Sequence, residues 1–323
     1  MTLACPLFAF AIICVALSGA ALAQPSFPQK PVTLVAPYPP GGPVDIVARM
    51  LAKGLTPTWS KPIVIENRTG AGGNIGSEAV AKAAPDGHTL LINTGALLVT
   101  AIVSEKLPFD PIRDFAPITK IGFAPALLVV NPKSPFNTVA DLVAYGKANP
   151  GKLSFGSPGN ATTLQLCSEL FKTLAGFDAL HIPFRGSAPS VAALIGDQIH
   201  FHFDAMLSAL AHVNAGTLKA LAVSTAARSL QAPNIPTMVE AGVPGYDASI
   251  WFGVFAPAAT PAPLVEKIAR DIQLTLQQPD IKKQLESTGF IIVGNAPQQL
   301  AKEMAAESKM WVDVIRKTGV KVE

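Results

Sequence analysis

Cysteine is scarce in this sequence of 323 residues: there are three, and Cys5 and Cys14 lie in the apolar N-terminal segment. If that segment is removed on export, Cys167 remains alone, and a single thiol forms no disulfide within its own chain. Leu166 directly precedes Cys167 and Leu170 follows three residues later in a helical segment, which indicates a small buried side chain and not a nucleophile. The fold must therefore be held by packing, which a chain of this length achieves without disulfides.

Charge of either sign is also limited. Lys and Arg number 25 and Asp and Glu number 22, so the formal net charge is +3 at pH 7. The basic residues are scattered along the chain, whereas a nucleic-acid-binding protein carries a basic stripe or patch. The composition therefore argues against nucleic acid as a partner and supports only weak attraction to anions.

A long apolar run occurs once, at residues 3–23, and no second run of membrane-spanning length follows it. It ends with Ala21, Leu22 and Ala23 before Gln24, and small residues at this spacing are typical of a signal-peptidase site. We expect residues 1–23 to be a signal peptide cleaved after Ala23, and the mature chain to be soluble in the periplasm. Because Met1 and Thr2 supply no positive charge before the run, an uncleaved membrane anchor is the alternative.

Short segments rich in β-branched residues alternate with amphipathic helical segments along the chain. This alternation is typical of parallel sheets covered by helices, so the predicted fold class is α/β. The predicted strands are 32–38, 62–67, 89–94, 126–131, 153–157, 179–184, 199–204, 220–224 and 251–256. The predicted helices include 44–55, 75–83, 139–148 and 162–174. The segment 261–317 is predicted to form two or three helices around a short strand at 290–293.

The first of three loops with binding potential leads from a predicted strand into a predicted helix through Tyr38, Pro40, Gly41 and Gly42. Glycine lets the backbone approach a ligand, and Pro43 suits the first position of a helix. Free N–H groups at the start of that helix would face an anion. An ordinary tight turn is the alternative interpretation.

The second loop, at 67–76, superficially resembles a dinucleotide-binding fingerprint. That fingerprint needs glycine where the chain has Ile75, and it needs an acidic residue at the strand end where the chain has Asn93, Thr94 and Gly95. The sequence therefore predicts no nucleotide and no other cofactor. The helix start at 70–76 could still converge with those of the other two loops on one small anion. Thr94, at the end of its predicted strand, remains a candidate ligand-binding residue.

The third loop contains Ser157, Gly159, Asn160, Ala161 and Thr162 between a predicted strand and a predicted helix. Its hydroxyl and amide groups, together with backbone N–H groups, suit a carboxylate without a buried cation. Capping of the following helix is the alternative, but capping engages only one or two of these side chains.

The sequence offers little support for an enzyme. Neither Ser157 nor Ser187 follows the G-x-S-x-G pattern of a nucleophile elbow. Strand alternation places His200, His202 and Asp204 on one face, but a metal site would need a further ligand. We interpret the two histidines as polar, solvent-facing positions, and we expect no bound metal and no catalytic residue. Asp204 stands at a strand end, where ligands of α/β sheets bind, and is a candidate ligand-binding residue.

Seven separated segments of the chain together resemble one family: 30–45, 64–76, 84–87, 149–153, 183–189, 255–258 and 318–320. That family is the Bug family, the extracytoplasmic receptors of tripartite tricarboxylate transporters. The resemblance covers nearly the whole mature chain, and the order of the segments makes it more specific than any single loop.

The resemblance implies a type II periplasmic-binding-protein fold, with two α/β domains, crossing segments and an interdomain cleft. Domain 1 would comprise 24–125 plus 251–323, and domain 2 would comprise 126–250, with crossings near 123–126 and 250–252. In such receptors the loop at 38–42 reaches the ligand partly through water, and the helix start at 157–162 holds a carboxylate. Asp204 matches an acidic strand end that faces the cleft in this family, whereas His200 and His202 depart from its pattern.

The implied function is that of a solute-binding receptor which captures a small organic acid or amino acid and delivers it to membrane permease subunits. We expect it to act as a monomer and to catalyse no reaction. A sensor that presents the same ligand to a membrane signalling protein would have the same sequence features. An exported metal-dependent hydrolase is the other alternative, and it would require His200, His202 and Asp204 to converge with another metal ligand.

Overall fold

The computed structural model of the chain describes residues 27–103 and 106–318. The predicted signal peptide and its cleavage site lie outside the described residues. Within the described part of the chain, every helix is too short or too polar to cross a membrane.

The strands of the described residues belong to one hydrogen-bonded sheet with the order β2-β1-β3-β9-β4-β7-β5-β6, in which β8 and β10 also pair with β4. They are β1 (Val32–Ala36), β2 (Ile63–Asn67), β3 (Thr89–Thr94), β4 (Phe115–Val130), β5 (Ser154–Ser157), β6 (Leu180–Pro183), β7 (Phe201–Ala205), β8 (Lys219–Val223), β9 (Ser249–Pro257) and β10 (Ile291–Ile292). Parallel pairs lie at the two ends of the sheet, and the central strands β9 and β4 are antiparallel to their neighbours.

The helices cover this sheet and confirm the α/β class. They are α1 (Pro43–Trp59), α2 (Asn74–Ala81), α3 (Ala96–Val103), α4 (Val139–Ala148), α5 (Thr163–Ala175), α6 (Ser187–Ile195), α7 (Met206–Asn214), α8 (Ala262–Leu276), α9 (Pro279–Glu286) and α10 (Pro297–Thr318). A short 3-10 turn, Ala71–Gly73, precedes α2. The last three helices enclose β10, as the sequence predicted for the C-terminal segment.

Strand β4 changes partners along its length. Residues 115–125 pair with β9, whereas the remainder, from Ala126, pairs with β7 and β8. At the change, the N–H of Ala126 donates to Ser224 Oγ (2.8 Å), and that hydroxyl donates to the carbonyl of Ala248 (2.7 Å). Two sheet halves therefore meet at this point: an N-terminal half, 27–125 with 249–318, and a central half, 126–248. The division into two domains predicted from the sequence lies beside this point and remains a prediction.

Aromatic side chains fill the core of the central half. Phe155, Phe171, Phe201 and Phe203 are all fully buried, and burying one such side chain is worth about 1.5–3 kcal/mol. Tyr246 packs parallel to Phe203 with ring centroids 5.8 Å apart.

Cys167 lies in the same core, as predicted, and its carbonyl accepts the Tyr246 hydroxyl at 2.9 Å. Burial raises the pKa of the Cys167 thiol to about 12. The thiol is therefore protonated and unreactive at neutral pH.

Candidate functional site

A cavity of about 510 Å³ lies between the two sheet halves. Four strand-to-helix loops form its walls: 37–39 after β1, 69–74 after β2, 158–161 after β5 and 183–186 after β6. Thr100 of α3 completes the lining. All four loops follow the carboxyl ends of parallel strands, which is where open α/β sheets bind their ligands.

The loops of the two halves touch at positions where glycine is required. A methyl group added at Gly72 would lie 2.5 Å from the carbonyl oxygen of Asn160, and one added at Gly186 would overlap the ring of Pro39. Both glycines have positive φ, +63° and +115°, which disfavours other residues there. The two halves are thus in direct contact beside the cavity.

An apolar contact reinforces this closed arrangement. Val99 of α3 forms a small buried cluster with Ala161 and Leu166, which belong to the central half. Of this cluster, Ala161 also lines the cavity. The residues that hold the halves together are therefore neighbours of the residues that would hold a ligand.

The first predicted loop contributes mainly through Tyr38. Its side chain lines the cavity and donates a hydrogen bond to the carbonyl of Gly72 (3.0 Å). Burial raises the pKa of the Tyr38 phenol well above its ordinary value, although a hydrogen bond with Thr94 lowers that pKa to a smaller degree. The phenol is therefore a neutral donor. Thr94 itself is buried behind Tyr38 and is not part of the cavity wall.

The other predicted residues of this loop lie outside the cavity lining. Pro40 and Gly41 are exposed and Gly42 is buried. The N–H of Gly41 is already used, since it donates to Asp45 Oδ2 (2.9 Å). Burial raises the pKa of Asp45, but hydrogen bonds from Arg49, Gly41 and Asn67 outweigh it and hold the pKa below its ordinary value. The carboxylate of Asp45 thus fixes the shape of the loop.

In the third predicted loop, Gly159, Asn160 and Ala161 line the cavity, whereas Ser157 and Thr162 are buried beneath it. Both hydroxyls donate to the carbonyl of Gly159, at 2.9 and 2.8 Å. The hydroxyl of Thr162 also accepts the first-turn N–H of α5 from Gln165 (3.4 Å), so the capping alternative describes its role. Asn160 lines the cavity and is exposed, and its side chain has no hydrogen-bond partner among the described residues.

Asp204 lies at the end of β7 as predicted, but it is 1% exposed and does not line the cavity. It accepts hydrogen bonds from Ser187 Oγ (2.6 Å) and Ser208 Oγ (2.7 Å). Burial raises its pKa, but His202 and the two serines outweigh burial and hold the pKa below its ordinary value. Ser187 is the first residue of α6, directly after the cavity wall at Gly186, so Asp204 anchors that wall from behind.

The interpretation of both histidines as solvent-facing is wrong for His202, which is 0% exposed. Its Nδ1 lies 2.8 Å from the carbonyl of Gly156, and its Nε2 lies 3.8 Å from Asp204 Oδ1. The reason is that β7 lies between β4 and β5, and helices cover both faces of such an inner strand. His200 is only partly buried, with Nδ1 3.0 Å from the N–H of Ser154. The described residues contain no group of three or more His, Cys, Asp or Glu placed to hold a metal.

Thr69, Gly72 and Asn74 line the cavity as part of the second predicted loop, whereas Thr100 and Arg185 were absent from the sequence-based candidates. Arg185 is the one charged side chain among the described lining residues, and it has no ion pair or hydrogen bond within the described chain. The loop after β6, which contains Arg185, obeys the same strand-end rule that identified the other loops. Applying that rule to every predicted strand would have found it.

The sequence of the chain matches a known protein family. A family model described as the tripartite tricarboxylate transporter family receptor matches residues 47–320. This chain belongs to that family. Protein BugT of Bordetella pertussis is 34% identical over 319 residues, which cover 97% of this chain and 98% of BugT. The resemblance to the Bug family that the sequence motifs indicated is thereby confirmed.

Solved structures with the same fold support this assignment. The periplasmic binding protein BugD is 31% identical with a TM-score of 0.87, covering 91% of this chain and 99% of BugD. R. palustris Rpa4515 with adipate is 34% identical (TM-score 0.88, coverage 91% and 99%). MatC from Rhodopseudomonas palustris with bound malate is 32% identical (TM-score 0.85, coverage 90% and 100%).

These relatives are binding proteins and not enzymes, so the prediction that the chain is not an enzyme is confirmed. The type II periplasmic-binding-protein fold is confirmed as well. The chain is thus a solute-binding receptor from a family of periplasmic proteins.

Proposed function

We propose that this receptor captures a small dicarboxylate in the cavity between its sheet halves and delivers it, as a monomer, to a membrane permease of the tripartite tricarboxylate type. The observation that carries the proposal is the charge of the cavity. Its described lining has one cation, Arg185, no acidic side chain, and two walls made largely of backbone. Such a site favours an anion.

One carboxylate would be held by the loop at 158–161 and the start of α5. The backbone there turns through positive φ at Gly159 (+142°) and Ala161 (+60°), and the free side chain of Asn160 adds a neutral donor. A hydrogen bond to a charged oxygen is worth about 1.5–3 kcal/mol. Three or four such bonds sum to about 5–12 kcal/mol before the cost of association, whereas micromolar affinity needs roughly 8 kcal/mol net, so further contacts must contribute.

The second carboxylate would pair with Arg185. The guanidinium presents a planar fork that suits a carboxylate, and in this chain it has no acidic partner of its own. Adipate and malate, bound by Rpa4515 and MatC, are both dicarboxylates. The analogy supports the same ligand class for this chain.

Capture would require the halves to separate and close. We propose that 24–125 with 251–323 and 126–250 act as two domains that rotate about the crossings near 123–126 and 250–252. Support comes from the change of partners along β4 at Ala126 and from the contact surfaces at Gly72 and Gly186. A ligand between the loops would stabilise the closed form, because it would contact both halves at once.

The decisive experiment is a binding screen of the purified mature chain from Gln24, followed by calorimetry. We expect dicarboxylates to raise the melting temperature, and a ligand at 100 times its Kd adds about 2.7 kcal/mol to stability. Monocarboxylates, tricarboxylates and amino acids form the comparison panel, and light scattering on the same samples gives the oligomeric state. If no dicarboxylate binds, the proposal fails.

A further inference from the structure

His181 lies on β6 behind the cavity wall and is not part of the lining. Its ring stacks on Phe155 of the neighbouring strand, with centroids 4.9 Å apart and an interplanar angle of 23°. Each ring nitrogen contacts a side chain that holds the loop at 158–161: Nε2 lies 2.6 Å from Ser157 Oγ, and Nδ1 lies 3.2 Å from Gln165 Nε2. The histidine thus contacts both supports of the loop that the proposed function assigns to a carboxylate.

The hydrogen bonds fix where the imidazole proton resides. Gln165 Oε1 accepts the N–H of Ala161 (2.7 Å), so the Gln165 amide nitrogen is the atom that faces His181. An amide nitrogen only donates, and Nδ1 must therefore be unprotonated. Neutral His181 then carries its proton on Nε2 and donates it to Ser157 Oγ.

Ser157 links His181 to the backbone of the loop. The Ser157 hydroxyl donates to the carbonyl of Gly159 (2.9 Å). The N–H of Gly159 in turn donates to Ser157 Oγ (3.2 Å). A continuous chain therefore runs from Gln165 through His181 and Ser157 to Gly159, while Gln165 separately holds Ala161. Both ends of the chain terminate on backbone that lines the cavity.

We propose that neutral His181, protonated on Nε2, is a positioning residue for the ligand-binding loop at 159–161, and that protonation of Nδ1 uncouples the loop and weakens ligand binding. An added proton on Nδ1 would face the amide hydrogens of Gln165. The Gln165 amide would have to rotate, and the N–H of Ala161 would lose its acceptor. This inference rests on the proposed function for its effect on binding, but not for the hydrogen-bond chain itself.

Burial, and to a smaller degree one neighbouring cation, favours the neutral form of His181. Lys172 of α5 lies over the Phe155 ring (5.4 Å to the centroid) and pairs with Glu169 (3.0 Å) and Asp178 (3.5 Å). The neighbouring strand β5, Ser154–Ser157, has no charged side chain. Burial, with a smaller contribution from Lys172, lowers the pKa of His181 to about 4. The chain of hydrogen bonds is therefore intact at neutral pH.

The first test needs no ligand. Imidazole ¹⁵N spectra of the full mature chain, recorded from pH 8 to 3.5 and assigned with His181→Gln, report the tautomer directly. We expect an unprotonated Nδ1 and a protonated Nε2 at pH 7, with titration near pH 4. A proton on Nδ1 at pH 7, or titration at the ordinary histidine value, would overturn the inference.

The second test measures the loop and its ligand. His181→Phe retains the ring that stacks on Phe155 but removes both hydrogen bonds. We expect amide hydrogen exchange at Gly159 and Ala161 to accelerate at least tenfold and adipate or malate to bind at least tenfold more weakly. His181→Gln, which retains a donor toward Ser157, should restore most of the affinity. His212→Gln is the control, since His212 contacts Thr217 at the end of α7, outside the cavity lining.

The pH dependence of binding distinguishes a His181 that positions the loop at 159–161 from one that only packs against Phe155. Because the ligand itself titrates in acid, wild type and His181→Gln are compared over the same range from pH 6 to 4. We expect the wild type to lose more affinity than His181→Gln. Equal losses, or unchanged exchange in His181→Phe, would refute the positioning role. If the wild type binds no dicarboxylate at any pH, the proposed function fails, and the tautomer and exchange data still decide the role of His181.

Discussion

The backbone of Gly72 lies directly against the carbonyl oxygen of Asn160, so that a methyl group at position 72 would lie 2.5 Å from that oxygen. The two residues belong to different sheet halves and both line the cavity. Their approach brings backbone against backbone, which leaves no side chain free to adjust. Closure of the cavity therefore depends on the absence of a side chain at this position.

The first prediction concerns Gly72→Ala. An alanine at φ +63° carries a backbone strain of about 1 kcal/mol, and its methyl group collides with Asn160 in the closed arrangement. We expect dicarboxylate affinity to fall at least tenfold and small-angle scattering to show a larger radius of gyration at saturating ligand. Gly216→Ala is the matched control, because φ is +71° there and nothing lies within 4 Å. Equal affinities for the two variants would show that this contact does not limit closure.

Most elements of the fold were predictable because their residues follow simple periodicities. The main omission was the first part of β4, residues 115–125. Pro117, Lys120 and Pro125 interrupt its apolar pattern, but pairing with β9 continues past them through two register irregularities. The helix α3 was also not predicted, since its run of Leu, Val and Ile does not distinguish a buried helix from a strand.

The site was harder to predict than the fold, because a sequence does not show which polar group is buried. Ser157, Thr162 and Asp204 have the chemistry of ligand contacts, but in the folded chain they hold backbone and other side chains in place. Arg185 does line the cavity, but its segment, 183–189, entered only as part of the family resemblance and not as a binding loop. The rule that ligands bind beyond strand ends located the region, whereas the assignment of individual side chains required their packing.

The second prediction concerns Arg185→Gln. If the guanidinium pairs with a second carboxylate, the variant should lose at least tenfold in dicarboxylate affinity, while monocarboxylates bind as in the wild type. A tenfold loss corresponds to about 1.4 kcal/mol, which is moderate for a charge-assisted pair near solvent. Arg270→Gln is the control, because it makes the same charge change on α8, outside the cavity lining. Calorimetric titration measures the affinity of each variant for both ligand classes. An equal loss for dicarboxylates and monocarboxylates would exclude a pairing of Arg185 with a second carboxylate.

The third prediction is a dependence of stability on pH through His181. Its pKa is about 4 in the folded chain against an ordinary value of 6.5. Between these values the unfolded chain binds a proton that the folded chain does not, so the free energy of unfolding falls as the pH drops from about 6.5 to about 4. Urea unfolding of wild type and His181→Gln across this window measures the difference. A wild-type curve with the same slope as the variant would contradict the shifted pKa.

The fourth prediction concerns the cap of α5. Thr162→Ala removes the hydroxyl that accepts from the N–H of Gln165 and donates to the carbonyl of Gly159. Loss of such a cap costs about 1 kcal/mol, and the loop at 159–161 should exchange its amides faster. Thr162→Ser retains the hydroxyl and should remain near the wild type in urea unfolding. If serine and alanine destabilise equally, the methyl group and not the cap is what matters.

The last prediction concerns Asp204. If Asp204 supports the cavity wall from behind, its substitution should lower stability, whereas if it binds the ligand directly, substitution should lower affinity. Asp204→Ala would leave the buried hydroxyl of Ser187 without its acceptor and His202 Nε2 without its neighbouring charge. An unsatisfied buried polar group costs about 1–3 kcal/mol, so we expect a loss of about 3 kcal/mol in urea unfolding. Asp280→Ala, at an exposed position in the first turn of α9, should stay within about 0.5 kcal/mol of the wild type.

A double-mutant cycle with Ser187→Ala tests whether the loss arises from this contact. If Asp204 acts through Ser187, the two substitutions should be less than additive, because the second removes a bond that the first has already broken. Asp204→Asn keeps one carbonyl oxygen as an acceptor and should recover part of the stability. If Asp204→Asn instead retains full stability and loses most of the dicarboxylate affinity, then Asp204 contacts the ligand directly, and the supporting role derived from its burial is wrong.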